Sequence, residues 1–147
     1  MAVTPKSDKD AIRQIILNDS YIKIYLKFNN EDNISTQKDL NAEFNPKENY
    51  INIYGKQAED TLNEQMTECI YQIDILTENT KTGQSRADLC QEQLSKLLDN
   101  VWITPTKQIR LKRFGGNIST SKSTQYQIAL QVGIYTTISG GKPLQYP

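Results

Sequence analysis

The sequence predicts an α+β fold: a mainly antiparallel sheet with one helix packed on a face, a short N-terminal helix and a long C-terminal β-hairpin. Three observations carry this. Apolar residues recur at helical spacing through Ile12, Ile15 and Ile16 and again from Arg86 to Asp99, but with a period of two from Glu68 to Leu76 and from Gln125 to Ile138. The strand-like segments are segregated from the helical ones rather than interleaved with them. A glycine break, Gly115-Gly116-Asn117, separates the last two strand patterns and marks a hairpin loop.

Taken in order, Ser7 with Asp10 three residues on reads as an N-cap, opening a helix that runs to about Asn18. Tyr21 to Phe28 fits two periods, because Ile22, Ile24, Leu26 and Phe28 alternate while Ile22 and Leu26 also share a helix face; extended structure is the expectation. Asn29 to Asn49 is polar and reads as a loop. Tyr50-Ile51-Asn52-Ile53-Tyr54 is a strand closed by Gly55, and a second polar link follows to about Glu64. Cys69, Tyr71, Ile73 and Ile75 form one face of a long strand. Asn79 to Gln84 is its turn, and Ser85 with Asp88 caps a helix from Arg86 to Asp99 whose stripe is Ala87, Cys90, Leu94, Leu97 and Leu98. Val101 to Thr104 and Gln108 to Phe114 are strands, followed by a loop from Gly115 to Ser123.

The last strand has the cleanest alternation in the chain. Tyr126, Ile128, Leu130, Val132, Ile134 and Ile138 line one face; Gln125, Gln127, Gln131, Tyr135 and Thr137 line the other. At about 3.3 Å per residue this stretch would reach about 46 Å, so either Gly133 marks a bulge or one end of the hairpin leaves the domain.

The 147 residues fit one domain, 1–147, with a polar loop at 29–49 and a short tail at 140–147. The charge is unevenly spread. All seventeen acids lie at or before Asp99, while the remaining residues carry Lys107, Arg110, Lys112, Arg113, Lys122 and Lys142 without one acid. Opposite potentials at the two ends of a chain suit head-to-tail contact between copies, or contact of the basic end with a polyanion.

Catalysis and metal chemistry find little support. The chain has no histidine, and Cys69 and Cys90 lie in no CxxC motif; buried free thiols in a reducing compartment are their ordinary reading. Asp74 with Asp88 is a conceivable carboxylate pair, but isolated carboxylates on half-exposed elements are usually solvated. Gly115-Gly116 and Gly140-Gly141 lack the context of a phosphate loop and read as turns. No catalytic residue, metal ligand or cofactor site is expected. No apolar run is long enough to span a membrane, and Met1 to Asp10 lacks a signal-type apolar region, so synthesis in a cytoplasm is expected.

The candidate contact surface lies in the C-terminal hairpin: Arg110, Lys112, Arg113 and Lys122 around the turn, with Gln125, Gln127, Gln131 and Tyr135 on the uncharged polar face of the last strand. Such groups suit a protein interface or polyanion contact. The plain alternatives are a charged edge that discourages sheet pairing and a wetted outer face.

The order of Ile12 to Asn18, the Tyr50 to Tyr54 strand after the Pro46 loop, the Cys69 to Leu76 strand, the Arg86 to Leu98 helix and the long strand from Tyr126 resembles the tail-completion and tail-terminator (head–tail joining) proteins of long-tailed bacteriophages. The resemblance implies a non-enzymatic virion protein of the tail or neck, made in the host cytoplasm. It implies a ring of identical subunits, commonly six-membered, that contacts the tail tube and the neck or connector proteins while DNA passes through without specific binding. The basic hairpin would then face a neighbour or line the channel. The alternative is a small nucleic-acid-binding module using that hairpin.

Overall fold

The computed structural model describes residues 5–27, 31–36, 48–60, 66–115 and 125–137. The N-terminal helix α1 spans Pro5–Leu17, with Pro5 at a position where a missing N–H costs no helical bond. It therefore starts ahead of Ser7, which is not its cap. Ile12 and Ile16 are fully buried one turn apart.

The stretch expected to be extended is a helix instead. α2 spans Ser20–Leu26: Asp19 Oδ2 accepts the Ile22 N–H at 2.9 Å, and Lys27 ends the helix in the left-handed region at φ 50° with its N–H on the Lys23 carbonyl. Two caps and the burial of Ile22 and Leu26 on one face outweigh the alternating pattern. The same pattern leaves Ile24 and Tyr21 exposed. Phe28 lies outside the described residues.

A 3-10 turn at Glu31–Asn33 leads into a two-residue strand, β1 (Ile34–Ser35), within the segment expected to be all loop. β2 spans Tyr50–Asp60 and passes through Gly55, which was expected to close it; a bulge between Gly55 and Gln57 absorbs the irregularity while pairing continues. β3 spans Met66–Glu78. α3 spans Lys81–Leu97 and begins before Ser85, because Thr80 Oγ1 takes the Gly83 N–H at 3.0 Å and so supplies the cap. Asn100, at φ 58°, turns the chain out of α3. β4 (Val101–Thr104), β5 (Lys107–Gly115) and β6 (Gln125–Thr137) follow. Lys122, the rest of the loop before β6 and the 140–147 tail lie outside the described residues.

The architecture is α+β, and the six strands among the described residues form one mixed sheet in the order β1-β2-β3-β6-β5-β4. β1 runs parallel to β2, whereas every other neighbouring pair is antiparallel. β6 is an interior strand. It pairs with β3 along its whole described length, from Gln125 opposite Glu78 to Thr137 opposite Met66, and with β5 on its other side. Along that length neither end of β6 leaves the sheet, and Gly133 is not a bulge: it pairs in register with Ile70 and with Arg110. Besides the one in β2, bulges sit in β5, between Leu111 and Arg113, and in β4.

One face of the sheet carries the core. Ile51 and Ile53 of β2, Tyr71, Ile73 and Ile75 of β3, Ile128, Leu130, Val132 and Ile134 of β6 and Ile109 of β5 pack against α1, α2 and α3. Asp8, Lys107 and Tyr71 form a buried polar knot on the same side. Lys107 Nζ lies 2.9 Å from Asp8 Oδ1, and the Tyr71 hydroxyl donates to Asp8 Oδ2 at 3.0 Å.

Candidate functional site

Alternation along the strands that build the core turns the intervening residues to the opposite face, which is helix-free among the described residues. Tyr54 of β2, Glu68, Gln72 and Asp74 of β3, Gln131 and Tyr135 of β6, and Gln108, Arg110 and Arg113 of β5 therefore share one surface, in the registers Tyr54–Gln72, Gln72–Gln131 and Gln131–Arg113.

Two side-chain ladders cross it. In the first, Arg113 Nε donates to Gln131 Oε1 at 3.0 Å, Gln131 Nε2 to Gln72 Oε1 at 3.2 Å, and Gln72 Nε2 to Asp74 Oδ1 at 2.7 Å. The ladder ends on β2, where burial, then the charge of Asp74 and a hydrogen bond to it, push the Tyr54 phenol up to about 12. A cation on β5 is thus linked through two amides to a carboxylate on β3. In the second ladder, Lys112 Nζ lies 3.0 Å from Glu68 Oε2 and 3.2 Å from Oε1. The Tyr135 ring lies beneath Arg110 Cζ at 5.0 Å and Lys112 Nζ at 5.9 Å.

Gly133 makes room for this pair. A Cβ there would stand 2.5 Å from Glu68 Oε2 and 3.3 Å from Lys112 Cδ, so the carboxylate lies over the missing side chain. The bulge in β5 serves the same surface. Strict alternation would send Arg113 to the core face after Lys112; the extra residue returns it beside Gln131.

Arg110, Lys112, Arg113, Gln131 and Tyr135 are thus brought together. Gln125 and Gln127 lie further along the same face of β6, opposite Glu78 and Leu76. The expected charge division is partly folded back on itself, since Lys107 is buried against Asp8 and Lys112 is tied to Glu68. Arg110 is held by Gln108 Oε1 at 2.7 Å. Asp74 and Asp88 do not form a pair: Asp74 is on the helix-free face, while Asp88 accepts the Tyr126 hydroxyl at 3.1 Å on the helix side. Glu68 and Asp8 escaped the sequence reading because their partners are 44 and 99 residues away.

Burial, first among the causes, pushes up the thiols of both free cysteines, Cys69 and Cys90, which disfavours the thiolate a nucleophile needs. Among the described residues no group of three or more Cys, Asp or Glu side chains is placed to hold a metal ion. None of the described helices is long and apolar enough to cross a membrane.

Tyr54, Tyr71, Tyr126 and Tyr135 all titrate above the ordinary phenol value, with burial as the leading cause at each. A phenol whose folded pKa is raised stabilises the fold fully below the unfolded value and loses that contribution as pH climbs through the folded one. The thiols of Cys69 and Cys90, also pushed up by burial, act in the same way from about pH 8.5, so stability should hold to about that pH and then fall, most steeply between about pH 10 and 12. Urea midpoints measured across that window, with tyrosinate absorbance as a second readout, should show ionisation and unfolding together. A midpoint independent of pH there would contradict these environments.

The class of protein defined here is an α+β domain fold with a six-stranded mixed sheet, helices on one face and a hydrogen-bonded polar surface on the other. No protein-family model matches the chain, and no curated protein matches it. Among solved structures, the fold is similar to a chain from the virion of a native gene transfer agent (GTA) particle, with a TM-score of 0.63 at 11% identity, covering 88% of this chain and 93% of that one. At that identity the likeness is one of fold.

Proposed function

We propose that this chain is a non-enzymatic structural protein of a phage-type virion, acting at the tail or neck as a tail terminator or head–tail joining component. Its copies associate into a ring, six-membered as in the proteins it resembles, that meets the tail tube on one side and neck or connector proteins on the other. DNA passes through without specific binding. The observation that carries the reading is the fold shared with a virion chain along nearly the whole length of both.

The polar surface supports it physically. Only Nε of Arg110 and of Arg113 is used in the side-chain hydrogen bonds formed with Gln108 and Gln131. Each guanidinium is therefore oriented in advance while its terminal nitrogens can still grip a carboxylate of a neighbouring subunit in a two-pronged bond. The nucleic-acid reading is less well supported, because Lys107 is buried in an ion pair and Lys112 is tied to Glu68, leaving fewer cations for phosphates.

Solution mass tests the reading. The protein should run as one high-order species, or assemble when tail-tube or neck proteins are supplied. Reversing both Arg110 and Arg113 to Glu should weaken assembly while the far-UV circular dichroism of the subunit stays unchanged. An unaltered oligomer mass in that double variant removes these arginines from the contact, and a wild type that stays monomeric with every partner sinks the ring.

A further inference from the structure

The ladder from Arg113 to Asp74 has a fixed direction. The Nε–H of Arg113 can only donate, so Gln131 must turn its Oε1 toward β5, where the bond is 3.0 Å long. At the other end the Asp74 carboxylate can only accept, so Gln72 must turn its Nε2 toward it, at 2.7 Å. The two demands agree in the middle, where Gln131 Nε2 meets Gln72 Oε1 at 3.2 Å. Turning over either amide alone would set carbonyl against carbonyl, or donor against donor, at a junction.

The two ends differ in burial. Asp74 is only 6% exposed and is bonded as well by Tyr54 of β2, whereas Arg113 stands exposed, with the half-buried Gln131 and Gln72 between them. Register places the links: Arg113 lies directly opposite Gln131, and Gln131 directly opposite Gln72. A long exposed side chain loses rotamer freedom when a contact orders it, and a bond formed beforehand removes part of that cost. Arg110 offers a contrast, because its Nε is held at 2.7 Å by Gln108 Oε1 on its own strand, outside the ladder.

We propose that Asp74 is a positioning residue for the subunit contact: acting through Gln72 and Gln131, it holds the Arg113 guanidinium in the orientation that meets a partner's carboxylate. This role rests on the reading above, in which Arg113 faces a neighbouring subunit. Asp74 is too buried to touch that neighbour, so its influence has to pass through Arg113. Residues that share one hydrogen-bonded network are not additive, and the effect of losing Asp74 should vanish once Arg113 is gone.

Two measurements on the full chain test this. Its four arginines give four Nε–H signals in nuclear magnetic resonance spectra, assignable through R13K, R86K, R110K and R113K. In D74A and in Q72L the Arg113 signal should shift and exchange faster with water, because Gln131 is then free to turn, while the Arg110 signal stays in place. D74N, which keeps an acceptor oxygen for Gln72, should restore the wild-type signal. Sedimentation over a concentration series, with tail-tube or neck proteins supplied if assembly requires them, is the second readout. D74A and Q72L should each raise the concentration for half-assembly by about threefold to tenfold, the size of coupling within a shared network, and should add nothing to the loss in R113A. Urea midpoints report that each variant is folded, and Q72L alters only a half-buried side chain should D74A fail to fold. An Arg113 signal that stays in place in the folded variants overturns the proposal whatever the state of assembly. A changed signal with wild-type assembly, or with losses that add to that of R113A, overturns it too, since the ladder then serves the subunit fold alone; a wild-type ring in either case leaves the ring reading standing. A wild type that stays monomeric with every partner sinks the ring and this role for Asp74 together.

Discussion

Replacing Asp8 with Ala will cost about 3–5 kcal/mol of folding stability, the largest effect expected of any single truncation in this chain. Asp8 and Lys107 lie 2.9 Å apart with side chains only 4% accessible on either partner. Water cannot screen the pair, and the attraction between them offsets the cost of burying both charges. Removing the carboxylate takes the Asp8 counter-charge from the buried Lys107 ammonium and the acceptor from the Tyr71 hydroxyl, which donates to the same carboxylate. Against a typical domain stability of roughly 5–15 kcal/mol, that loss would leave a fold close to its midpoint at ambient temperature.

The contrast variant separates the penalty of a broken pair from the worth of the pair itself. Substituting Asp8 with Leu, Lys107 with Met and Tyr71 with Phe together replaces the knot by apolar groups of similar volume. The triple variant should be within about 2 kcal/mol of wild type or more stable than it, because no buried charge is left without a partner. Urea denaturation of both proteins decides the matter. A D8A protein within about 1 kcal/mol of wild type would mean that water reaches the pair.

That knot also explains what the sequence could and could not disclose. The alternation in β3 and β6 was legible because each strand has one buried face, and the α3 stripe was legible because Ala87, Cys90 and Leu94 repeat at helical steps. α2 was not, since Ile22, Ile24 and Leu26 satisfy both periods; the deciding signals were Asp19 as a cap and Lys27 in a left-handed conformation. The start of α3 was misplaced because Thr80 and Ser85 are both acceptable caps, and only the packing of the first turn chooses between them. Strand order was hidden entirely, so the length of β6 suggested a bulge at Gly133 or a hairpin end leaving the domain, when the strand sits between β3 and β5.

The candidate surface was legible in composition and not in pairing. Arg110, Gln131 and Tyr135 fall on one face by alternation alone, but the bulge after Leu111 is what keeps both Lys112 and Arg113 with them. The acid-free C-terminal third looked like one basic end. Folding returns Lys107 and Lys112 to acids far away in the chain, so among the described residues of this third the charge available to a partner is concentrated in Arg110 and Arg113.

A second large effect is expected at Gly83, where alanine should destabilise the fold by about 3 kcal/mol, the upper end of ordinary overpacking. The sign is the reverse of what helix propensity suggests, since alanine in place of an exposed helical glycine normally gains roughly 0.8–1 kcal/mol. Gly83 lies in the first turn of α3, directly against the end of β3. A Cβ there would stand 1.9 Å from the Glu78 carbonyl oxygen and 2.9 Å from its carbon. The obstacle is backbone and has no room to yield: Glu78 is paired with Gln125 of β6, and Thr77 beside it donates its hydroxyl to the Gly83 carbonyl at 2.8 Å. The Thr80 cap holds the Gly83 N–H from the other side. Relief would require lifting the first turn of α3 from the sheet and giving up both bonds. Gly55 is the matched control, because a Cβ there would meet the Tyr71 ring, with Cε1 at 3.8 Å and Cδ1 at 4.0 Å, ordinary contacts. G55A should stay within about 0.5 kcal/mol of wild type in the same urea titration. Equal stabilities for G83A and G55A would mean that α3 does not begin on the end of β3, and the cap at Thr80 would have to be replaced by one nearer Ser85.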